Sequence, residues 1–273
     1  MASVAETIAA HYESGSREDR ILTALSESGV DVSRLTAQDL EPLDELHIGG
    51  PKATADLLAK MEIGPQTELL DIGSGIGGPA RFAARTTGAH VTGLDLTESH
   101  VATATRLSAM TGLSAETRFV QGSAFAMPFA DASFDAAMSL YVGMNLPDKP
   151  QLMHEAARVL RPGGIFAVYD LMRTAGDALT FPLPWAASEE TSFVETPDAY
   201  KKAAAAAGFE IAAEHDRRAF ALDFIAGARA EAAAAKAEGR KPPLGPVLMM
   251  GEDARAKMAN MAAALEACLL SPT

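Results

Sequence analysis

A glycine-rich turn that directly follows a predicted strand is the feature of this sequence best suited to bind a ligand. The strand ends at Asp71, and the turn after it reads Gly73-Ser74-Gly75-Ile76-Gly77-Gly78. Glycines in such a turn tolerate positive φ angles and let a ligand approach the backbone. In an open parallel sheet, ligands bind beyond the carboxyl ends of the strands. The turn therefore predicts a cofactor site at the end of this strand.

The charge of Asp71 separates two cofactor classes that the turn could serve. Gly73, Gly75 and Gly78 also satisfy the G-x-G-x-x-G pattern of dinucleotide-binding turns, so an NAD(P)-dependent oxidoreductase is one interpretation. A dinucleotide would place its pyrophosphate against the carboxylate, whereas S-adenosylmethionine would place an ammonium and a sulfonium there. Opposite charges about 4 Å apart gain roughly 4 kcal/mol at an effective dielectric of 20, before desolvation is subtracted. Asp71 therefore favours S-adenosylmethionine.

A second carboxylate, Asp95, ends the next predicted strand. At that place it can accept hydrogen bonds from both ribose hydroxyls of an adenosine, which suits any adenosine cofactor. The alternative is structural, because Asp95 or Thr97 could cap the helix that follows.

Alternating strands and helices must position these residues. Six apolar runs predict strands, which are Thr67 to Asp71, His90 to Asp95, Thr117 to Gln121, Phe134 to Leu140, Ile165 to Asp170 and Phe209 to His215. Helical periodicity predicts helices between them, at Gly78 to Thr87, Glu98 to Thr111 and Gln151 to Arg161. This alternation is typical of an α/β fold, with a doubly wound, Rossmann-like and mostly parallel sheet.

Three further segments lie outside that frame. Residues 1–44 are predicted to form a helical N-terminal lid, and residues 45–273 the Rossmann-like domain. Within that domain, insertions near 174–195 and 218–266 are expected to shape the substrate pocket, because such loops commonly do. Trp185 and Phe181 fit either a pocket wall or plain packing. Met249, Met250, Met258 and Met261 are interpreted as core residues.

Composition narrows the classes of partner. A net charge of -13 over 273 residues argues against nucleic acid, whose binding needs clustered Lys and Arg. Cys268 is the single cysteine, so no intrachain disulfide forms, and no apolar stretch is long enough to cross a membrane. The histidines lack metal-ligand spacing, so no metal is predicted. The expectation is a cytoplasmic protein that acts on a small molecule, with a homodimer left open.

These motifs together resemble the class I S-adenosylmethionine-dependent methyltransferases. The resemblance is carried by Leu69 to Gly75, Val91 to Asp95, Met127-Pro128-Phe129 with Ser133-Phe134-Asp135, and Arg158 to Gly164. Leu46 to Gly50, Gly77 to Arg81 and Pro184-Trp185-Ala186 further resemble the sarcosine and dimethylglycine N-methyltransferase-like group and, more distantly, phosphoethanolamine methyltransferases. The resemblance implies a doubly wound sheet of the seven-strand type, with a short or absent last strand near Thr273.

The resemblance also implies a role for particular residues. The implied cofactor-binding set is Leu46, His47, Gly49, Asp71, Gly73, Ser74, Gly75, Asp95, Leu96, Ser123, Ala124 and Leu140. Within this set, Asp71 and the glycines would hold the methionyl part, Ser123 and Ala124 the adenine, and the Leu140 carbonyl the ammonium. Tyr12 would belong to the lid. The implied activity is methyl transfer to a small molecule, most simply N-methylation of an amine like sarcosine or dimethylglycine. C- or O-methylation of a quinone, a phenol or another natural product is the alternative.

Candidate catalytic residues are His47, Tyr141 and Asn145, the last two because they follow the fourth strand together with Met144. Each has a structural alternative, namely a hydrogen-bonded His47, a core Tyr141, and an Asn145 that caps the helix at Asp148. Two positions depart from the family pattern. Ser123 replaces the commoner aspartate, and Asn145 stands where phosphoethanolamine methyltransferases carry a histidine. A non-catalytic, cofactor-binding partner protein is a further alternative.

Overall fold

The sheet that carries the candidate site has five parallel strands in a computed structural model that describes residues 17–251 and 253–273. The strands are β1 (Glu68–Ile72), β2 (His90–Asp95), β3 (Thr117–Gln121), β4 (Phe134–Leu140) and β5 (Leu160–Tyr169). Their order is β3-β2-β1-β4-β5. The chain adds β2 and β3 on one side of β1 and then β4 and β5 on the other, so the strand order reverses between β1 and β4. This reversal point is where doubly wound sheets bind ligands.

Helices cover both faces of this sheet. They are α1 (Arg17–Glu27), α2 (Ala37–Asp44), α3 (Gly50–Leu58), α4 (Gly78–Thr87), α5 (Glu98–Met110), α6 (Lys149–Val159), α7 (Pro197–Ala206), α8 (Arg218–Ala237) and α9 (Ala254–Glu266). Alternate residues of a strand point to opposite faces. Leu69 accordingly packs in one cluster with Ala80 and Ala83 of α4, while Leu70 packs in another with Leu152 of α6.

The predicted strands agree with the structure except near the end of the sheet. β2, β3 and β4 begin and end at the predicted residues, β1 differs by one residue at each end, and β5 begins earlier, at Leu160. The helix predicted over Gln151 to Arg161 ends at Val159, because Leu160 already pairs with Phe134 of β4. The strand predicted at Phe209 to His215 is wrong. That segment is largely exposed and pairs with no strand in the described chain.

The expected seven-strand sheet is therefore divided into two sheets. β6 (Leu171–Arg173) follows β5 after one residue and pairs antiparallel with β7 (Leu270–Pro272). The last strand is short, as expected, but it lies in this separate two-stranded sheet. It thereby brings the C-terminal helices α8 and α9 back to the carboxyl end of β5.

The N-terminal helices pack over the glycine-rich turn. Arg81 of α4 is fully buried, and its Nη2 donates both to Asp44 Oδ2 at 2.6 Å and to the Ile76 carbonyl at 2.8 Å. One guanidinium thus joins the end of α2 to the turn after β1. Residues 1–16, including Tyr12 of the predicted lid, lie outside the described residues. The helices of the described residues include none with the length and apolarity needed to span a membrane.

Candidate functional site

A cavity of about 450 Å³ lies at the carboxyl ends of β1, β2 and β4. Its size falls within the range of small-molecule sites. The predicted site residues that line it are Leu46, His47, Gly73, Ser74, Gly75, Asp95, Leu96, Ser123, Ala124, Leu140, Tyr141 and Asn145. Gly49 and Asp71 do not line it. Gly49 is the N-cap of α3 with a φ of +96°, and a Cβ there would overlap the ring of Phe220, so helix packing explains this glycine.

The glycine-rich turn leaves open space where side chains would otherwise stand. Gly73 has a φ of +77°, and a Cβ there would lie 2.5 Å from both γ-carbons of Val142. Gly75 has a φ of +52°, and its Cβ would meet no atom within 4 Å. Positive φ angles of this kind favour glycine. Gly73 therefore permits close packing against the exit of β4, and Gly75 keeps the cavity floor free for a ligand.

Asp71 is a buried carboxyl group with an unsatisfied oxygen. Its residue is 2% exposed, and its Oδ2 has no hydrogen-bond partner among the described residues. Burial, with a smaller contribution from the charge of Asp95, raises the pKa of Asp71 to about 7. An unpaired buried carboxylate is costly. A cationic group held at this turn would offset that cost, so Asp71 fits the ammonium of S-adenosylmethionine and opposes a pyrophosphate.

Asp95 is already hydrogen-bonded to the backbone around the turn. The Gly75 N–H donates to its Oδ2 at 2.8 Å, and the Thr97 N–H donates to its Oδ1 at 2.9 Å. Thr97 is the N-cap of α5, but its side chain makes no capping bond, so the start of the helix is joined to the Asp95 carboxylate through the Thr97 N–H. Each carboxylate oxygen can accept more than one hydrogen bond. Asp95 therefore retains acceptor capacity at the cavity while it fixes the shape of the turn.

His100 also lines the cavity beside Asp95, with its Nδ1 3.2 Å from Asp95 Oδ1. This histidine is not among the site residues predicted from the sequence. Its position in the first turn of α5, shortly after Asp95 at the end of β2, was the available signal. Ser123 lines the same end, and its Oγ accepts the Phe125 N–H at 3.1 Å, which closes a tight turn. The Ser123 hydroxyl proton remains available to a ligand.

His47 belongs to a buried polar cluster with Glu45 and Thr54. Its Nε2 lies 3.2 Å from Thr54 Oγ1, which donates to Glu45 Oε2 at 2.9 Å, and its Nδ1 lies 3.5 Å from the same Glu45 oxygen. Burial lowers the pKa of His47 to about 4, and burial together with nearby Asp44 raises the pKa of Glu45 well above its usual value. Burial thus disfavours the charged form of both groups, and His47 is neutral near pH 7. Sequence reasoning missed Glu45 and Thr54.

The turn after β4 carries the other two candidate catalytic residues. Tyr141 has a φ of +59°, rare for a residue with a side chain, and its buried hydroxyl has no hydrogen-bond partner among the described residues. Its ring lies 5.9 Å from that of His47. Asn145 is buried at the end of a 3-10 turn, and α6 is capped instead by Asp148, which accepts the Gln151 N–H. The capping alternative for Asn145 is therefore wrong.

Buried charges behind this turn hold it in place. The Tyr200 hydroxyl donates to Asp170 Oδ2 at 2.8 Å, and a Cβ on Gly143 would overlap both groups. Burial raises the pKa of Asp170 to about 6. Lys149 Nζ donates to the Leu146 carbonyl at 2.6 Å and to the Phe193 carbonyl at 2.8 Å. The two Lys149 hydrogen bonds join the turn after β4 to the segment near 174–195.

The far wall of the cavity is apolar and comes from C-terminal elements. Sequence reasoning interpreted its methionines as core, yet these residues line the cavity: Pro184, Trp185, Phe224, Ile225, Pro246, Met249, Met250, Met258 and Met261. Met249 and Met261 are also buried in apolar clusters, so the core interpretation holds for them, and what the sequence did not show is that the same side chains line a cavity. Groups of three or more potential metal ligands are absent from the residues that the structure describes.

Comparison with known proteins shows the domain type. Residues 70–168 match the family described as "Methyltransferase domain". A sterol 24-C-methyltransferase of Gibberella zeae is 45% identical over 112 residues, which are 41% of this chain and 30% of that protein. The methyltransferase GfsG of Streptomyces halstedii is 34% identical over 134 residues, which are 49% of this chain and 48% of that protein. The chain thus spans half or less of these relatives.

Solved structures share the fold over nearly the whole chain. Phosphoethanolamine N-methyltransferase 2 of Haemonchus contortus superimposes with a TM-score of 0.72 at 18% identity, over 100% of this chain and 58% of that one. Geranyl diphosphate C-methyltransferase of Streptomyces coelicolor gives a TM-score of 0.69 at 16% identity, over 99% and 96% of the two chains. Both crystals contain S-adenosylhomocysteine. At these identities the similarity shows the fold.

Proposed function

Because this chain has the class I S-adenosylmethionine-dependent methyltransferase fold, with a methyltransferase domain at residues 70–168, we propose that it transfers a methyl group from S-adenosylmethionine to a small molecule. The observation that carries the proposal is the orphan carboxylate oxygen of Asp71 beside an open glycine-rich turn. Such a site suits a cationic cofactor that lies against the backbone. The sterol, geranyl diphosphate and phosphoethanolamine acceptors named for the relatives differ, so fold alone does not select one.

The cofactor would lie over the ends of β1, β2 and β4. Asp71 and the Leu140 carbonyl would bind the ammonium. Asp95 would accept hydrogen bonds from the ribose, and Ser123 and Ala124 would contact the adenine. Leu46, His47 and Ser74 would line the methionyl end, and Gly49 would act there only through the position of α3. When bound, the sulfonium supplies both the methyl group and the leaving group, so the protein needs no nucleophile of its own. Its task is to align the acceptor and exclude water.

The exit of β4 is where we place the acceptor's reactive atom. Tyr141 and Asn145 would contact it, since both line the cavity next to Leu140. His47 is neutral but, with a pKa of about 4, is a weak proton acceptor at pH 7. We therefore assign His47 to hydrogen bonding and packing against Tyr141, with Glu45 and Thr54 fixing its ring.

An amine acceptor is consistent with this arrangement only in its neutral form, because a protonated amine has no lone pair. The apolar far wall favours the neutral form, since desolvation disfavours charged groups. The same wall accommodates a phenol or a carbon nucleophile. We therefore propose an amine nitrogen as the reactive atom of the acceptor.

A methyl-transfer assay tests this proposal. Tritium-labelled S-adenosylmethionine is incubated with the chain and, in turn, with amines, phenols, quinones and thiols, and label is measured in the products. We expect transfer to at least one class, and a rate about a hundredfold lower with Asp71→Asn when S-adenosylmethionine is subsaturating. Tight cofactor binding without transfer to any class would instead favour the non-catalytic partner protein.

A further inference from the structure

The part of the cavity beyond the turn after β4 is a continuous apolar space. We call it the acceptor chamber and define it by Met144, Leu171, Trp185, Ile225, Met258 and Met261, all of which line the cavity. The same six residues belong to one apolar cluster, in which Met258 is the partly buried member. The chamber therefore presents hydrocarbon and thioether surface to whatever occupies it.

Charge is nearly absent from this side of the cavity. Lys257 is the one charged lining residue contributed by residues 171–251 and 253–261, and its Nζ donates to the Met250 carbonyl at 3.1 Å. No carboxylate of those described residues lines the wall. A small zwitterion would lose its hydration there without gaining partners for both charges, which is costly. An apolar body would gain free energy from the same burial.

The rim of the chamber is apolar as well. Phe224 is 43% exposed at the cavity edge, and Val247 and Leu248 are 48% and 43% exposed between the lining residues Pro246 and Met249. Exposed apolar residues grouped at the mouth of a cavity indicate a ligand-binding groove. The apolar surface thus runs from the turn after β4 outward to solvent.

We propose that the methyl acceptor is a molecule with an extended, uncharged hydrocarbon body, which lies along the acceptor chamber and presents its reactive atom at Tyr141. This inference rests on the proposed function only for the statement that the occupant is the methyl acceptor. It concerns the body of the acceptor, and it is compatible with an amine, a phenol or a carbon centre at the reactive end. It excludes sarcosine-like zwitterions.

A homologous series tests the chamber by binding alone. Trp185 is the single tryptophan of the sequence, so its fluorescence reports occupancy of this wall. N-methylbutylamine, N-methylhexylamine and N-methyloctylamine are titrated beside sarcosine, with 4-butylphenol and 4-hexylphenol as a second series. We expect affinity to rise about three- to fourfold per added methylene until the chamber is filled. N-methylhexylamine should bind at least roughly a hundredfold more tightly than sarcosine.

Matched variants place that binding in the chamber. Met258→Gln keeps the length of the side chain but adds an amide, and should weaken N-methylhexylamine about fivefold or more. Phe224→Ala, at the exposed rim, should weaken N-methyloctylamine more than N-methylbutylamine. Ile211→Gln is the control, because Ile211 is 49% exposed and lies outside the cavity. Thermal melts show that each variant is folded.

The failures of the two proposals are distinguishable. Absent binding of every alkyl compound, sarcosine binding as tight as theirs, or equal effects of Met258→Gln and Ile211→Gln would each overturn the chamber, whatever the affinity for S-adenosylmethionine. Chain-length-dependent binding without cofactor binding would leave the chamber intact and overturn the methyltransferase proposal.

Discussion

The two sides of the cavity are built on different principles. The cofactor side is polar and formed by the carboxyl ends of strands and the loops after them, where Gly75 and Asp95 line the cavity and Asp71 is buried in β1 just before the turn. The acceptor side is apolar and formed by α8, α9 and the segments around Trp185 and Met249, which the chain adds after the sheet. The segment matched by the methyltransferase domain, residues 70–168, contributes Met144 to this second side and ends before its other elements begin. We therefore propose that the common fold holds the cofactor and that the added segments select the acceptor.

Asp71→Asn should have the largest effect and should confine it to the cofactor side. Loss of the carboxylate opposite the ammonium is expected to weaken S-adenosylmethionine about a hundredfold. Binding of N-methylhexylamine to the chamber should change less than twofold. Isothermal titration measures both, with exposed Asp223→Asn as the control. Equal losses of affinity for S-adenosylmethionine and for N-methylhexylamine would contradict the separation of the two sides.

The same variant should stabilise the cofactor-free protein at high pH. A pKa raised from 3.8 to about 7 means that this carboxyl group stabilises the fold when protonated and loses that contribution as pH rises from about 4 through 7. The difference is on the order of 4 kcal/mol. Asp71→Asn should therefore raise the melting temperature at pH 8 and change it little at pH 4. A lower melting temperature at pH 8 would contradict the burial argument.

The affinity for S-adenosylmethionine should fall as pH is lowered, because binding requires ionised Asp71. Below pH 7 the expected loss approaches tenfold per pH unit, and the affinity should be level above it. Titrations between pH 5.5 and 8.5 measure the profile, with Asp71→Asn expected to flatten it. An equally steep profile in the variant would assign the proton to another group.

The cofactor side was also the more predictable from sequence. A predicted strand that ends in Asp71 and is followed by glycines can be recognised from neighbouring residues alone. The strand and the turn were therefore predicted to within one residue. The strand predicted at Phe209 to His215 failed because a local pattern does not reveal whether a sheet edge is free to pair. Glu45 was missed because the sequence does not show that its carboxylate meets His47 and Thr54, and His100 was missed although it follows Asp95 closely in the chain. Met258 was missed because a pocket wall and a core share one helical pattern.

Two Tyr→Phe changes compare a functional with a supporting hydroxyl. In Tyr141→Phe, the lost hydroxyl has no partner among the described residues, so stability should hold or rise by up to about 1 kcal/mol. If Tyr141 contacts the acceptor, kcat should fall about tenfold while the affinity for S-adenosylmethionine stays within twofold. Steady-state kinetics and calorimetry measure these, and an unchanged kcat would remove Tyr141 from the site.

Tyr200→Phe should have the smallest effect on activity and ligand binding, and it should lower stability where Tyr141→Phe does not. Its hydroxyl donates to buried Asp170, so its loss should cost about 1–3 kcal/mol of unfolding free energy. Denaturant unfolding measures this cost. Since Tyr200 does not line the cavity, binding on both sides should change little at temperatures where the protein is folded. A large loss of cofactor affinity without a stability change would contradict the supporting role.

The central claim, that the site selects S-adenosylmethionine through Asp71, is tested most directly by parallel calorimetric titrations with S-adenosylhomocysteine and NADH. S-adenosylhomocysteine retains the ammonium and the adenosine, whereas NADH brings a pyrophosphate to the same turn. We predict saturable one-to-one binding of S-adenosylhomocysteine and no measurable binding of NADH. Absent binding of S-adenosylhomocysteine, or NADH binding of equal strength, would contradict the account.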